Sequence, residues 1–153
     1  MEKVRIGIVG IGNMGSGHAQ YLKAGEIQHA ELTAVCDISP ARLEWAEKTL
    51  GSDVSRYSDY KELLSSGKID LVIIAVPHYL HPVIGIEALY AGIHVLSEKP
   101  IGVYTKNIEQ LNEVAKESGL VFGIMYNQRT NPYYQKMREM VQGGELGELV
   151  RCV

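Results

Sequence analysis

Cysteines and long apolar runs are scarce in this sequence, and no segment is strongly basic. The two cysteines, Cys36 and Cys152, lie far apart and form no ligand-like pair, so we expect small buried thiols in a reducing cytoplasm. The N-terminus enters an apolar run at once, which leaves no room for a signal peptide. No stretch approaches the ~18 consecutive apolar residues of a membrane-spanning helix. A net charge of −3 with scattered lysines and arginines argues against nucleic acid as a partner.

The length and the order of the apolar segments indicate an α/β domain. The 153 residues suffice for one domain of ordinary size. Short apolar runs, clearest at residues 4–9 and 71–76, alternate with helical patterns such as residues 82–91. This alternation favours a doubly wound parallel sheet with helices on both faces and the strand order 3-2-1-4-5-6. We therefore predict one such domain over residues 1–125.

The last segment, residues 126–153, has a different character. A helix is predicted near Pro132–Gln142, with an apolar face that we expect to be buried: Tyr133, Met137, Met140 and Val141. Residues 148–153 have strand character but no partner strand. We therefore assign residues 126–153 to a connecting helix and to the start of a C-terminal domain that is absent from this chain.

A glycine-rich hexapeptide follows the first predicted strand and opens the first predicted helix. It fits the pattern G-x-G-x-x-G with the residues Gly10, Ile11, Gly12, Asn13, Met14 and Gly15. In this context Gly10 allows a tight turn, Gly12 lets the backbone approach a pyrophosphate, and Gly15 lets the helix pack close to the strand. The helix dipole and its free N–H groups then face the phosphates. We therefore predict that these six residues bind a dinucleotide in a Rossmann-type domain.

Asp37, at the end of the second predicted strand, indicates which dinucleotide is bound. A carboxylate there can accept hydrogen bonds from both hydroxyls of the adenosine ribose, and it would repel a 2′-phosphate. Arg42 lies nearby and could pair with such a phosphate, lie against the adenine, or pair with Glu44 or Glu47 in solvent. We count Asp37 and Arg42 as candidate cofactor-binding residues and favour NAD over NADP.

The end of the fourth predicted strand, Ala75, Val76 and Pro77, lies where open α/β sheets bind ligands. His78 and His81 follow with an i, i+3 spacing that could hold a metal on a helix. No third ligand is evident, so we expect no metal site. A histidine that caps the helix or lines the nicotinamide pocket is the interpretation that we adopt for His81.

Glu98, Lys99 and Pro100 end the fifth predicted strand, beside the expected nicotinamide position. A lysine at this edge could hold or polarise a substrate hydroxyl, or help to relay its proton. A surface Glu–Lys turn is the alternative that three residues alone leave open. We take Lys99 as the candidate catalytic residue and count Glu98 and Lys99 among the residues around the cofactor.

Together these segments resemble the N-terminal half of the glucose–fructose oxidoreductase / inositol dehydrogenase (Gfo/Idh/MocA) family. The resemblance covers the whole chain and rests on the glycine motif, Cys36-Asp37, Ala75-Val76-Pro77 with His81, the run from Ala91 to Pro100, and the tail from Tyr126 to Val150. It implies that the glycines and Asp37 bind the dinucleotide and that Lys99 works at the reacting carbon. It also implies that Glu98 and His81 line the nicotinamide end.

The same resemblance implies a reaction and a second domain. NAD would exchange hydride with a hydroxylated small molecule, such as a sugar, a polyol or a related alcohol. Family members continue into a second α/β domain that supplies a catalytic Asp and His, most of the substrate pocket and commonly an oligomer interface. We therefore expect a homo-oligomer in the full-length protein, and a chain that is incomplete for catalysis by itself.

Two other functions fit part of the sequence. A non-catalytic dinucleotide-binding or redox-sensing module would need only the binding residues, although it has no need for Lys99. A methyltransferase that uses S-adenosylmethionine would also place a glycine loop after its first strand, and Asn131-Pro132-Tyr133-Tyr134 is similar to one of its signatures. That signature belongs after the fourth strand, however, and here it follows the sixth predicted strand.

Overall fold

The computed structural model describes residues 3–151, which form a six-stranded parallel sheet with flanking helices. The strands are β1 (Val4–Val9), β2 (Ala30–Cys36), β3 (Ser55–Tyr57), β4 (Leu71–Ile74), β5 (His94–Glu98) and β6 (Phe122–Met125). The helices are α1 (Asn13–Lys23), α2 (Pro40–Leu50), α3 (Tyr60–Ser65), α4 (His81–Tyr90), α5 (Thr105–Ser118) and α6 (Pro132–Gln142), with short 3-10 helices at His78–Leu80 and Asn127–Thr130. The strand order β3-β2-β1-β4-β5-β6 confirms the predicted doubly wound sheet.

Both faces of the sheet are buried under helices. Ile73 in β4 packs in an apolar cluster with Ala19 of α1, whereas the next residue, Ile74, packs in a second cluster with Ile84 of α4. Successive residues of a strand point to opposite faces, so the two clusters lie on opposite sides of the sheet. All four side chains are at most 5% exposed. Burial of this kind on both faces explains why the strands read as continuous apolar runs.

Parallel pairing brings the carboxyl ends of the central strands to one edge of the sheet. Val9 at the end of β1 is in register with Cys36 in β2 and with Ile74 in β4. Ile74 is in turn in register with Ser97 in β5. The segments that follow these strands are therefore neighbours, although they are far apart in sequence. This edge is where a doubly wound sheet binds its ligands.

The C-terminal segment differs from the prediction. The helix forms at the predicted residues, as α6, but its apolar face is not buried: Tyr133 is 81% exposed and Met137 is 58% exposed. Helical periodicity indicates which face needs cover, and within residues 3–151 little packs on that face. Residues 148–151 form no strand, and residues 152 and 153 lie outside the described part. Cys36 is buried, as predicted, whereas Cys152 lies outside the described residues.

Among residues 3–151, no helix combines the length and the apolar character that crossing a membrane requires.

Candidate functional site

The glycine turn between β1 and α1 has little room for side chains at two positions and open space at the third. Gly10 has a φ of +87°, and a Cβ there would lie 2.5 Å from the carbonyl oxygen of Ala75. A Cβ at Gly15 would lie 1.8 Å from the carbonyl oxygen of Gly10. A Cβ at Gly12 would meet no atom within 4 Å. Gly10 and Gly15 are thus required by the turn itself, whereas Gly12 leaves space for a group outside the chain.

The N-terminus of α1 begins at this open glycine. Gly12 is the N-cap residue, no side chain caps the helix there, and its first turn contains no acidic residue. Asn13 and Met14 form the exposed start of the helix, and Met14 is 51% exposed. The first N–H groups of a helix lack partners within the helix and carry partial positive charge. The open space at Gly12 is therefore suited to a phosphate.

Asp37 lies opposite this turn and is held by two backbone groups. Its Oδ2 accepts a hydrogen bond from the Ile11 N–H at 2.9 Å, and its Oδ1 accepts one from the Ser39 N–H at 2.9 Å. Ile11 itself is fully buried, so it shapes the site through this backbone contact with Asp37. An ionised carboxylate has about four acceptor positions, so each oxygen can accept a further bond.

A cavity of about 620 Å³ connects the glycine turn to the ends of β2, β3 and β4. Its wall consists of Val9, Gly10, Gly12, Cys36, Asp37, Ile38, Ser58, Asp59, Tyr60, Ala75, Val76, Pro77, Tyr79, Leu80 and Ile84. The charged side chains of this wall are the carboxylates of Asp37 and Asp59. Burial raises the pKa of the Cys36 thiol to about 12, and the nearby carboxylates of Asp37, Asp59 and Glu62 add to the rise. The wall is thus largely apolar, with negative charge at one end.

The cavity wall does not include every predicted site residue: Ile11, Asn13, Met14, Gly15, Arg42, His81, Glu98 and Lys99 lie outside it. Among these, Arg42 is the residue whose sequence position suggests a role at the adenosine ribose. It lies in the first turn of α2, and within residues 3–151 its side chain makes no ion pair with Glu44 or Glu47. Glu44 pairs with Lys48, and Glu47 pairs with Arg56. Arg42 is therefore paired with neither of the two carboxylates that its sequence position suggested. The wall residues themselves include no lysine or arginine.

The end of β5 carries the candidate catalytic lysine. The Lys99 side chain is exposed, and the peptide bond between Lys99 and Pro100 is cis. Glu98 is only 6% exposed, and its Oε2 accepts a hydrogen bond from the Lys99 N–H at 3.1 Å. Its Oε1 lies 2.8 Å from Nε2 of His18 in α1. The backbone at Lys99 is therefore tied through Glu98 to the helix that begins at the glycine turn.

Sequence reasoning did not identify His18 as a site residue. It lies three positions after Gly15, and its helical spacing indicates only an inward-facing position on α1. Its contact with Glu98 depends on how α1 crosses the sheet toward β5, which periodicity does not specify. The available signal was a polar, titratable side chain on an inward face, which generally requires a partner.

His81 lies in the interior rather than on the cavity wall. It is 1% exposed, with Nδ1 at 2.8 Å from the Pro100 carbonyl oxygen and Nε2 at 2.8 Å from the Val76 carbonyl oxygen. That His81 lines the nicotinamide end stays a prediction; in this structure its ring joins the loops after β4 and β5. Within residues 3–151, no group of three or more metal-ligating side chains is assembled.

Solved structures with the same fold include enzymes bound to nicotinamide cofactors. The scyllo-inositol dehydrogenase of Lactobacillus casei, with bound NAD(H) and scyllo-inositol, superposes with a TM-score of 0.89 at 35% identity, over 96% of this chain and 43% of that chain. The WlbA dehydrogenase of Bordetella pertussis, in complex with NADH and UDP-GlcNAcA, gives a TM-score of 0.84 at 31% identity, over 96% of this chain and 45% of that chain.

Curated relatives lead to the same group of proteins. The inositol 2-dehydrogenase of Salmonella typhimurium is 30% identical over 95% of this chain and 43% of its own length. Inositol 2-dehydrogenase 1 of Saccharopolyspora erythraea is 32% identical over 98% of this chain and 45% of its own length. The chain thus spans less than half the length of these relatives. Residues 4–126 match the family described as "Oxidoreductase family, NAD-binding Rossmann fold" (GFO_IDH_MocA), and the chain belongs to this family.

Proposed function

We propose that this chain is the cofactor-binding part of an NAD-dependent dehydrogenase that acts on an inositol, a sugar or a related hydroxylated compound. The observation that carries the proposal is the open space at Gly12, which lines the same cavity as Asp37 at the edge of the sheet. The pyrophosphate would bind at Gly12 and the N-terminus of α1. Asp37 would accept hydrogen bonds from the adenosine ribose. Membership of an oxidoreductase family decides against the methyltransferase alternative.

The wall of the cavity favours NAD over NADP. Its charged side chains are the carboxylates of Asp37 and Asp59, with no lysine or arginine among the wall residues. A 2′-phosphate near Asp37 would therefore meet negative charge without a compensating cation. Arg42, which could have supplied that cation, is not on the wall.

Lys99 is the residue that we assign to the reaction. NAD supplies the hydride acceptor, at C4 of its nicotinamide ring, and the protein positions the reacting groups. An ammonium group can donate a hydrogen bond to the substrate hydroxyl oxygen and stabilise it while the hydroxyl proton passes to a general base, for which the family resemblance implies a histidine of the second domain. Glu98 fixes the backbone at Lys99 through its bond to the Lys99 N–H, and His18 holds the other oxygen of the same carboxylate. The residues that select the substrate would be those that contact the open side of the sheet edge at Lys99.

Calorimetric titration of the 153-residue chain with NAD and with NADP tests the cofactor assignment. We expect NAD to bind at least about tenfold more tightly than NADP, because Asp37 both accepts from the ribose and repels the phosphate. The Asp37→Ala variant should lose most of this preference, whereas Glu44→Gln, an exposed carboxylate of α2 outside the cavity wall, should keep it. Absence of binding by either dinucleotide at millimolar concentration would refute the proposal. NAD reduction by the protein that contains this chain, in the presence of myo-inositol, tests the reaction.

A further inference from the structure

The end of the cavity beyond Asp37 has a composition that pyrophosphate and ribose binding do not explain. In the strand order, β1 carries the glycine turn, β2 carries Asp37, and β3 is the next strand outward. A dinucleotide with its pyrophosphate at Gly12 and its ribose at Asp37 continues in that direction with the adenine base. The loop after β3, with Ser58 and Asp59, is therefore the loop that meets the base.

This end of the cavity has the surface that a flat base needs. The cavity wall includes Ile38 after β2, Tyr60 after β3, and Tyr79 and Leu80 after β4, which are aliphatic or aromatic. Ile38 is 91% exposed and Tyr79 is 57% exposed, so both can be covered by a ligand. Apolar walls of this kind bind a base without distinguishing one purine from another, and specificity then comes from a few fixed polar groups.

Asp59 is the charged group on the loop at this end, and its position is fixed. It is the N-cap residue of α3, and its Oδ1 accepts a hydrogen bond from the Lys61 N–H at 2.9 Å. Its Oδ2 makes no hydrogen bond or ion pair with the residues that the structure describes. The helix cap thus orients a carboxylate on the cavity wall with one oxygen available.

We propose that Asp59 determines the base specificity of the site by accepting a hydrogen bond from the exocyclic amino group of adenine. This inference rests on the proposed binding of NAD. An ionised carboxylate only accepts hydrogen bonds, and the amino group is the donor on the edge of adenine. A base with a carbonyl oxygen at the same position would present an acceptor to Asp59, and the two would repel each other.

The test compares NAD with nicotinamide hypoxanthine dinucleotide, in which a carbonyl replaces the amino group. We expect the wild-type chain to bind NAD about tenfold more tightly, because a hydrogen bond to a charged but partly exposed group is involved. In Asp59→Asn the ratio should fall to about one, because an amide can accept from adenine or donate to hypoxanthine. Asn and Ser both cap helices well, so Asp59→Ser keeps α3 and serves as a second variant, with a ratio also near one.

Glu62→Gln is the matched control, since Glu62 is an exposed carboxylate of α3 that does not line the cavity. It should keep the wild-type ratio. Equal affinity of the wild-type chain for both dinucleotides would overturn the inference and leave NAD binding intact. An unchanged preference in both Asp59 variants, or a loss of preference in Glu62→Gln as large as in Asp59→Asn, would also overturn it. If the wild-type chain bound neither dinucleotide, the proposed function itself would fail.

Discussion

Alanine substitutions at Gly12 and Gly15 separate the glycine that binds from the glycine that packs. A methyl group at position 12 enters open space, with no atom within 4 Å, and the Gly12 φ of −67° suits any residue. We expect Gly12→Ala to change the free energy of unfolding by less than about 1 kcal/mol. Loss of one charge-assisted hydrogen bond between α1 and a pyrophosphate would cost about 2 kcal/mol, which weakens NAD binding about 30-fold.

A methyl group at position 15 would lie 1.8 Å from the carbonyl oxygen of Gly10, which belongs to the backbone and must move. Such overpacking costs about 3 kcal/mol, which corresponds to a decrease in Tm of about 10 °C for a domain of this size. Thermal unfolding and NAD titration of both variants measure the two effects separately. Wild-type affinity in Gly12→Ala would show that no phosphate binds at that glycine. Equal destabilisation of the two variants would show that the spatial argument is wrong.

Two further substitutions test the loops after β4 and β5. In the protein that contains this chain, Lys99→Ala should lower kcat for NAD-dependent oxidation of myo-inositol by about 100-fold or more while leaving the Kd of NAD nearly unchanged. Initial rates and calorimetry measure the two quantities, and an unaltered kcat would show that the lysine is purely structural. His81→Phe removes both ring contacts with the partly buried carbonyl oxygens of Val76 and Pro100, which should lower the free energy of unfolding by about 2 kcal/mol in urea titrations. His78→Ala is the control, because the exposed His78 ring lies beside His81, with the two ring centroids 5.6 Å apart. An effect as large as that of His81→Phe would contradict the role of His81 in joining the two loops.

The fold was predictable because its signals are local and agree with one another. β1 has the predicted ends, Val4 and Val9, since its second half is buried on both faces and needs apolar residues there, whereas Arg5 lies near its exposed start. Alternation with helices then leaves few topologies, and the strand order follows from right-handed crossovers. β2 begins at Ala30, earlier than its apolar run indicates, because backbone pairing with β1 also includes the polar Glu31.

The side chains that require tertiary placement were not predictable in the same way. The sequence placed His81 just after the fourth predicted strand but did not show that both ring nitrogens contact backbone carbonyls. The contact of His18 with Glu98 joins residues 80 positions apart. The exposed face of α6 is the converse case: its residues have the spacing of a buried face, but burial depends on a neighbour rather than on the helix. Patterns therefore identify elements and loops, and partners come only from the packed structure.

Asp37 has a structural role as well as the proposed binding role, and this determines how its variants must be interpreted. Its two oxygens hold the N–H groups of Ile11 and Ser39, so the glycine turn and the approach to α2 are fixed before any ligand binds. Removal of the carboxylate would loosen the turn and weaken NAD and NADP alike, because both place a pyrophosphate there. Contact with the ribose and repulsion of a 2′-phosphate, in contrast, affect the two ligands differently. Loosening cancels in the ratio of the two dissociation constants, so that ratio isolates the recognition role, whereas the affinity for NAD alone contains both.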